Sequence, residues 1–503
     1  MPKQSYSWLE ALDGWLATDA YSTAWIAMVP DHREVSQPAW PQTLEYLRVH
    51  QLADGGWGEP DVCYAHERTL STLAAIKALD LWKQPEDLPR IQRGIEALHH
   101  YADCFLDEPY ESIGFELLLP RLAADLGAMS DQLPLDRWAP VQEMYEQKLA
   151  LIRQLHPQPG QQQSWWFSLE MLSEESLKQL DDSILGPNGS IATATAPTAA
   201  YLRARRLAGL DSPRAAIWLS HLVDRQKGGV PFCWPAEVFE RVWAMDSFMR
   251  AQIDPRTPFV QRLAESIWEA WNQGEPGLSS SEFFHVNDGD DTLVGYSVLN
   301  WAGFQPDEAP VLRFWKDGHF KSYLDERNAS ITVNIHGLQA LRSQPGFLHQ
   351  DKARQITLLL HDELMSSNPF ADKWHISPYY ALSHAIPAVL GWDDSLARNC
   401  VGNLLGEQRL DGGWGWNGHS TLEETAHVVL ALSHAYEYDI VKDSEVLART
   451  AEFLQSRSAV NRERLWIGKT LYHPEGLVEA LLYSAAYRLE QLGFGRAYQQ
   501  AAV

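Results

Sequence analysis

The chain has 503 residues, 45% of them hydrophobic, which is enough for two or three domains with separate cores. Its 66 acidic residues outnumber its 41 basic residues, and the net charge of −25 argues against nucleic acid or an anionic membrane as a partner. No signal-peptide core and no apolar run of membrane-spanning length is visible, and the four cysteines lack CxxC spacing. We therefore expect a cytoplasmic protein without stable membrane insertion, a disulfide framework or a zinc site.

The first predicted element is a glycine-rich turn followed by a helix. Residues 51–58 read QLADGGWG, residues 408–415 repeat the pattern as QRLDGGWG, and a weaker copy begins at Gly186. Each copy precedes a stretch with helical spacing, which is typical of stacked helical hairpins whose glutamine and tryptophan can tie neighbouring helices together. Because strand signals are few, we predict an all-α fold with the helices arranged as barrels.

The sharpest chemical feature is DGDDT at 288–292, which precedes an apolar helical run. Asp288, Asp290 and Asp291 are crowded there, and crowded carboxylates cannot all ionise cheaply when buried. A carboxyl group that stays protonated beside aromatic surface can donate a proton to an alkene. An acidic turn before a helix is also typical of an N-cap or a metal site, so the residues alone leave these alternatives open.

The DGDDT motif and the QxxDGGWG repeat resemble the DxDD(T) and QW-type motifs of class II terpene cyclases. Further stretches resemble class II diterpene cyclases of the copalyl-diphosphate-synthase type and occur in that family's order. They are AYSTAWIAMV (20–29), AHERTLSTL (65–73), SIGFELLLP (112–120), GGVPFCWPAEVFERVW (228–243), KDGHF (316–320) and WIGKTLY (466–472).

The resemblance implies two α-helical (α/α) barrel domains. One, called β, comprises a first helix at 1–20 and residues 255–503, and the other, called γ, is inserted at 21–254. The implied reaction is a protonation-initiated cyclisation of geranylgeranyl diphosphate. The diphosphate is expected to stay on the product, because the DDxxD motif of class I enzymes does not occur.

By the family's pattern, Asp290 is the general acid, and Asp288 and Asp291 tune it. His336 stands where the resemblance places the partner that holds the acid's proton, with Asn334 as the second candidate because plant members of the family use asparagine. A histidine satisfied within the core is the alternative interpretation of His336.

The resemblance also indicates which residues control the final loss of a proton. Enzymes that make ent-copalyl diphosphate hold a basic water with a histidine and an asparagine, whereas this chain has Phe167 and Phe232 at those positions. Phenylalanine can stabilise a cation but cannot hold such a water. We therefore predict a rearranged product such as kolavenyl diphosphate, with copalyl diphosphate of another stereochemistry as the alternative. Further candidates for the pocket wall, each of which could equally belong to the core, are Trp165, Trp166, Trp234, Phe284, Tyr379, Tyr380 and Thr292.

A diphosphate site assisted by Mg²⁺ is implied in the γ domain. Candidate metal ligands are Glu59, Glu108 and Glu111, and candidate diphosphate contacts are Lys469 and Arg241. A downstream diterpene synthase or phosphatase would then act on the product.

Three other classes of protein fit parts of the sequence. A squalene-hopene-type triterpene cyclase shares the acidic motif but should be longer and bind membranes. An α-barrel glycoside hydrolase would explain an acidic, tryptophan-rich chain with paired carboxylates. A helical-repeat binding protein without catalytic activity is the third alternative.

Overall fold

A computed structural model of the chain describes residues 12–104, 108, 112–152, 162–324, 326, 329–344, 346, 348–364, 372–456 and 463–495. The fold is all-α, as predicted, with two short antiparallel strand pairs: β1 (Trp315–Lys316) with β2 (His319–Phe320), and β3 (Trp466–Ile467) with β4 (Leu471–Tyr472). In the described ranges, no helix is both long enough and apolar enough to cross a membrane.

The chain divides into two compact units. The inserted unit comprises residues 15–235 and 464–473, and the flanking unit comprises Met1–Gly14, Ala236–Glu463 and Pro474–Val503.

The inserted unit is built around a closed ring of helical segments. In contact order the ring consists of α1 (Ala20–Ala27), α3 (Ala65–Leu81), α5 (Phe115–Asp125), the 3-10 segment Ser164–Met171 and α8 (Thr195–Leu207), which returns to α1. The outer helices are α2 (Pro41–Val49), α4 (Leu88–Tyr101), α6 (Ala139–Ile152), α7 (Glu174–Leu177) and α9 (Pro213–Arg225). Since α1 and α3 are buried along nearly their whole length, they lack the one-sided apolar stripe of a surface helix.

The flanking unit has a closed ring of six inner helices. They are α10 (Glu237–Arg250), α12 (Gly289–Trp301), α14 (Ile331–Ser343), α16 (Pro378–Val389), α18 (Leu422–Glu437) and α20 (Glu475–Gln491), and α20 packs against α10. One outer helix follows each of the first five: α11 (Pro258–Trp271), α13 (Ala309–Arg313), α15 (Gln350–Leu364), α17 (Asp394–Gly406) and α19 (Glu445–Ser456). Because inner and outer helices alternate along the chain, the inner helices run in one direction, and the predicted barrel architecture is confirmed.

The predicted domain boundaries need correction in three places. The division falls after Gly14 rather than after residue 20, because α1 packs on α3 and α8 of the inserted unit. It falls again after Pro235 rather than after residue 254, because α10 closes the flanking ring between α12 and α20. The β3–β4 hairpin belongs to the inserted unit, although it was assigned to residues 255–503.

The two QxxDGGWG copies, one in each unit, form the same structure. The Gln51 amide donates to backbone oxygens four and 39 residues later, at 2.7 and 2.9 Å, and Gln408 does the same four and 38 residues later, at 3.0 and 3.2 Å. The indole N–H groups of Trp57 and Trp414 each donate to the carbonyl ten residues earlier, at 2.7 and 2.8 Å. Each copy therefore ties the outer helix before it to the outer helix after it.

Candidate active site

The DGDDT segment begins α12, and each of its residues has a local reason for its type. Asp288 is the N-cap, and its carboxylate accepts the backbone N–H of Asp291 at 2.9 Å. A Cβ atom at Gly289 would lie 2.1 Å from the carbonyl oxygen of Lys321, so only glycine fits between the aspartates. The N-cap function, which the sequence left open, therefore belongs to Asp288 and leaves Asp290 for another role.

The three aspartates share a buried, electrostatically crowded environment. Burial raises the pKa of Asp290, and burial together with the neighbouring carboxylates raises the pKa of Asp288 and of Asp291. Charging all three carboxyl groups would place like charges side by side in a medium of low polarity. At least one of the three groups therefore keeps its proton at neutral pH.

His336 of α14 contacts the central aspartate directly. Its Nδ1 lies 2.6 Å from Oδ1 of Asp290, and the imidazole is fully buried. Asn334 has a different role: its amide accepts the backbone N–H of Phe320 at 2.8 Å and donates to the carbonyls of Phe320 and Ser330. The asparagine therefore holds strand β2 in place, and the histidine is the residue that meets Asp290.

The hydrogen bonds continue beyond His336 into the ring. His336 Nε2 lies 3.0 Å from His384 Nδ1, and His384 Nε2 lies 2.7 Å from a guanidinium nitrogen of Arg250. Asp246 lies 3.7 Å from the same guanidinium and accepts a hydrogen bond from Gln339 at 3.2 Å. Asp290 is the second residue of α12, and Arg250 is the last residue of α10. Because the inner helices run in one direction, the hydrogen bonds lead from the N-terminal ends of these helices into the ring.

Aromatic side chains surround this chain of polar groups. The Trp243 ring centroid lies 4.9 Å from that of His336 in an edge-on arrangement, and the Tyr380 ring lies 4.4 Å from that of His384. Tyr379 and Phe284 are also buried in the flanking unit. Thr292 is fully buried, and its hydroxyl accepts the backbone N–H of Leu278 at 3.1 Å.

A second polar group in the flanking unit has the composition of a metal site. Ligand atoms of His375, Glu423 and His427 lie within 4.8 Å of one another, and all three side chains are buried. However, His375 Nδ1 accepts the backbone N–H of Ser377 at 3.1 Å, so the proton of a neutral His375 is on Nε2, which faces Glu423 at 3.4 Å. That nitrogen is a donor to the carboxylate and has no lone pair for a metal.

In the inserted unit, Phe167 and Phe232 form an edge-to-face pair with centroids 5.9 Å apart. Phe232 also lies 5.0 Å from the Tyr472 ring. The Lys469 ammonium stands 5.1 Å from the Phe167 centroid and already occupies one face of that ring. Trp166 is buried, whereas Trp165 and Trp234 are half-buried.

The predicted diphosphate contacts have protein partners. Lys469 is fully buried with its Nζ 2.6 Å from Oε1 of Glu170, which also accepts the Tyr21 hydroxyl at 2.9 Å. Burial lowers the pKa of Lys469, and Glu170 offsets part of that effect. In the flanking unit, Arg241 lies 3.4 Å from Glu282. Both cations are thus engaged within their own units.

Two of the three predicted magnesium ligands, Glu59 and Glu108, lie in the described part of the chain and have protein partners. Glu59 is buried and pairs with Arg464 at 3.0 Å, while Glu108 accepts the backbone N–H of Ala65 at 2.7 Å at the start of α3. Glu111 lies outside the described residues. Within the described residues, no three His, Cys, Asp or Glu side chains around Glu59 or Glu108 have metal-ligand spacing. Glu59 and Glu108 are thus each engaged by a partner within the described residues.

Sequence reasoning missed His384, Arg250 and Asp246. Asp246 and Arg250 lie four residues apart on α10, whereas His384 lies on α16, and no short motif connects the histidine with that pair. The available signal was weak: single polar residues in otherwise apolar helices, such as His384 in PYYALSHAIPAV.

Rings of helices and a buried aspartic acid hydrogen-bonded to histidine are the arrangement that the resemblance to class II terpene cyclases implied. No protein-family model matches the chain. A type B diterpene cyclase of Mycobacterium tuberculosis is 31% identical over 499 residues, which cover 94% of this chain and 96% of that protein. The solved structure of ent-copalyl diphosphate synthase from Streptomyces platensis matches with a TM-score of 0.78 at 26% identity, covering 96% of this chain and 98% of the other.

A chloroplastic copal-8-ol diphosphate hydratase of Salvia sclarea is 26% identical over 510 residues, and the match spans 95% of this chain but 62% of the plant protein. The mycobacterial relative matches along almost the whole of both chains. The chain belongs to the class II diterpene cyclase family.

Proposed function

We propose that the protein cyclises geranylgeranyl diphosphate to a bicyclic diterpenyl diphosphate, with Asp290 as the proton donor. The observation that carries the proposal is the buried Asp290 carboxyl group, whose pKa is raised by burial while His336 Nδ1 lies 2.6 Å from its Oδ1. Burial favours the protonated form of the acid, and the hydrogen bond stabilises the carboxylate that remains after the proton leaves.

The proposed reaction balances as an isomerisation. The O–H bond of Asp290 breaks and a C–H bond forms on the terminal alkene, which leaves a tertiary cation. Two neighbouring alkenes attack in turn and form two carbon–carbon bonds. A proton is lost at the end, Asp290 regains one, and the diphosphate group stays attached. A diterpene synthase or phosphatase must therefore act on the product.

For the carbon skeleton of the product, we propose a rearranged diphosphate, with kolavenyl diphosphate as the best candidate. Neither Phe167 nor Phe232 carries a group that could hold a basic water, whereas an aromatic face stabilises a cation by about 0.5–2 kcal/mol. Copalyl diphosphate of some stereochemistry is the alternative product.

We further propose that Mg²⁺ acts on the binding of the diphosphate and not on the proton transfer. The proton comes from the aspartates of the flanking unit, none of which needs a metal to hold it. Chelation should therefore raise KM for the substrate and leave kcat unchanged, and a fall in kcat at saturating substrate would contradict this.

One incubation series tests the proposal. Purified protein is given geranylgeranyl diphosphate, squalene or oligosaccharides, and products are extracted before and after phosphatase treatment. We expect products from the first substrate alone, extractable only after dephosphorylation and without release of free pyrophosphate. NMR of the alcohol then identifies the skeleton: unrearranged copalol as the main product would overturn the rearrangement but not the cyclase reaction.

A further inference from the structure

A chain of hydrogen bonds connects the Asp290 carboxyl group to a buried arginine. Its members are Asp290, His336, His384 and Arg250, joined at 2.6, 3.0 and 2.7 Å. All four side chains belong to inner helices of the flanking unit. Each imidazole uses both ring nitrogens, so the proton position on one ring determines the proton position on the next.

The arginine sets the direction of this chain. A guanidinium group only donates hydrogen bonds, so His384 Nε2 must accept, and the proton of neutral His384 is on Nδ1. His384 then donates to His336 Nε2, which places the His336 proton on Nδ1. His336 in turn donates to Oδ1 of Asp290, and the acidic proton of Asp290 must therefore be on Oδ2.

The same arginine keeps His384 neutral. Burial and the charge of Arg250 hold the pKa of His384 well below its ordinary value, and the nearby His336, His427 and His375 act in the same direction. Asp246, 4.0 Å from His384, partly balances the guanidinium. A second proton on His336 Nε2 would meet the N–H of His384 head-on. An imidazolium beside Asp290 would favour the carboxylate, which has no proton to give.

We infer that Arg250 and His384 are positioning residues that fix the tautomer of His336 and thereby hold the reactive proton on Oδ2 of Asp290. This inference rests on the proposed function of Asp290 as the acid. Neither residue touches the substrate in this account; both act through His336.

Two substitutions of His384 have matched size and opposite hydrogen-bonding capacity. In His384→Gln the amide oxygen can accept from Arg250 while the amide N–H donates to His336, so the direction of the chain is kept. In His384→Met the side chain fills similar volume but neither accepts from Arg250 nor donates to His336. Packing alone would make the two variants equivalent.

We expect His384→Gln to keep kcat within about tenfold of the wild-type value and His384→Met to lose about 100-fold or more, with KM similar in both. Thermal melting of both variants accompanies the kinetics. Equal kcat values for the two variants, whether both high or both low, would overturn the inference.

The tautomer itself provides a readout that does not depend on any reaction. In ¹⁵N-histidine-labelled protein, with the His336 signals assigned by comparison with His336→Gln, we expect a protonated Nδ1 and an unprotonated Nε2 in the wild type and in His384→Gln. The opposite tautomer in the wild type would overturn the inference about Arg250 and His384, even if the enzyme cyclises its substrate. Conversely, the expected tautomer without turnover of geranylgeranyl diphosphate would refute the proposed function alone.

Discussion

Asp290 has to keep its proton at neutral pH and then give it to an alkene, which is a very weak base. Burial favours the protonated form and raises the pKa, whereas His336, through its electrostatic effect and its hydrogen bond, lowers it again. Each pKa unit corresponds to about 1.4 kcal/mol, so the balance of these effects decides how much of the reaction barrier the acid can remove. The histidine therefore limits the pKa increase that burial alone would cause.

Glu67 of α3 shows the effect of burial without such a partner. In the described part of the chain, neither of its carboxylate oxygens has a hydrogen-bond partner, and burial raises its pKa to about 8. A carboxyl group with a raised pKa stabilises the fold fully below its unfolded pKa, and this contribution is lost as the pH rises through the folded pKa. For Glu67 the loss extends from its ordinary value of 4.5 to about 8.

We predict that Glu67→Gln reduces this dependence of stability on pH, because glutamine has no proton to lose. The melting temperature of the variant, relative to the wild type, should rise progressively between about pH 5 and pH 8.5. The exposed Glu143→Gln on α6 serves as the control. A difference in melting temperature between Glu67→Gln and the wild type that stays constant across this pH range would show that Glu67 is already ionised in the folded protein.

At the scale of elements, the second DGGWG turn and the segment that follows it use glycine for two separate reasons. Gly412 has φ of +89°, and a Cβ there would lie 2.5 Å from the carbonyl oxygen of Arg449. Gly418 has a similar φ of +85°, but no atom lies within 4 Å of its Cβ position. Both positions therefore require a left-handed backbone, but only Gly412 also lies too close to α19 for a side chain.

We predict that Gly412→Ala destabilises the protein more than Gly418→Ala does. Both variants incur the strain of a left-handed residue, about 1–2 kcal/mol, but only the first must displace a backbone carbonyl, which adds about 1–3 kcal/mol. Thermal melting of the two variants gives the comparison. Equal losses of melting temperature would mean that α19 moves away at no cost.

These turns also show which parts of the structure the sequence could predict. The glutamine, glycines and tryptophan of each copy act within their own turn and its two flanking helices, so a short pattern contains the whole cause. The N-cap at Asp288 was predictable for the same reason, because it acts on Asp291 three residues later, whereas the close approach at Gly289 involves the distant carbonyl of Lys321. The pairing of Asp290 with His336 came from family resemblance, because the two residues are 46 positions apart.

At the scale of the whole molecule, tertiary contacts decided what local patterns could not. The β3–β4 hairpin lies between α19 and α20 in the sequence but belongs to the inserted unit, so a boundary drawn along the chain could not place it. Lys469 in that hairpin looked like a diphosphate ligand, yet its partner Glu170 is 299 residues away. Buried ion pairs of this kind have no sequence signature because any acidic residue can supply the partner.

The substitution Asp290→Asn tests the central claim most directly, because an amide of the same shape cannot donate a strongly acidic proton. Turnover of geranylgeranyl diphosphate is measured for the wild type, for Asp290→Asn and for the exposed control Asp351→Asn, together with thermal melting and substrate binding. We predict that Asp290→Asn binds the substrate and melts like the wild type but forms no cyclic product, while Asp351→Asn remains active. Cyclisation by Asp290→Asn at a rate near that of the wild type would contradict the assignment of Asp290 as the proton donor.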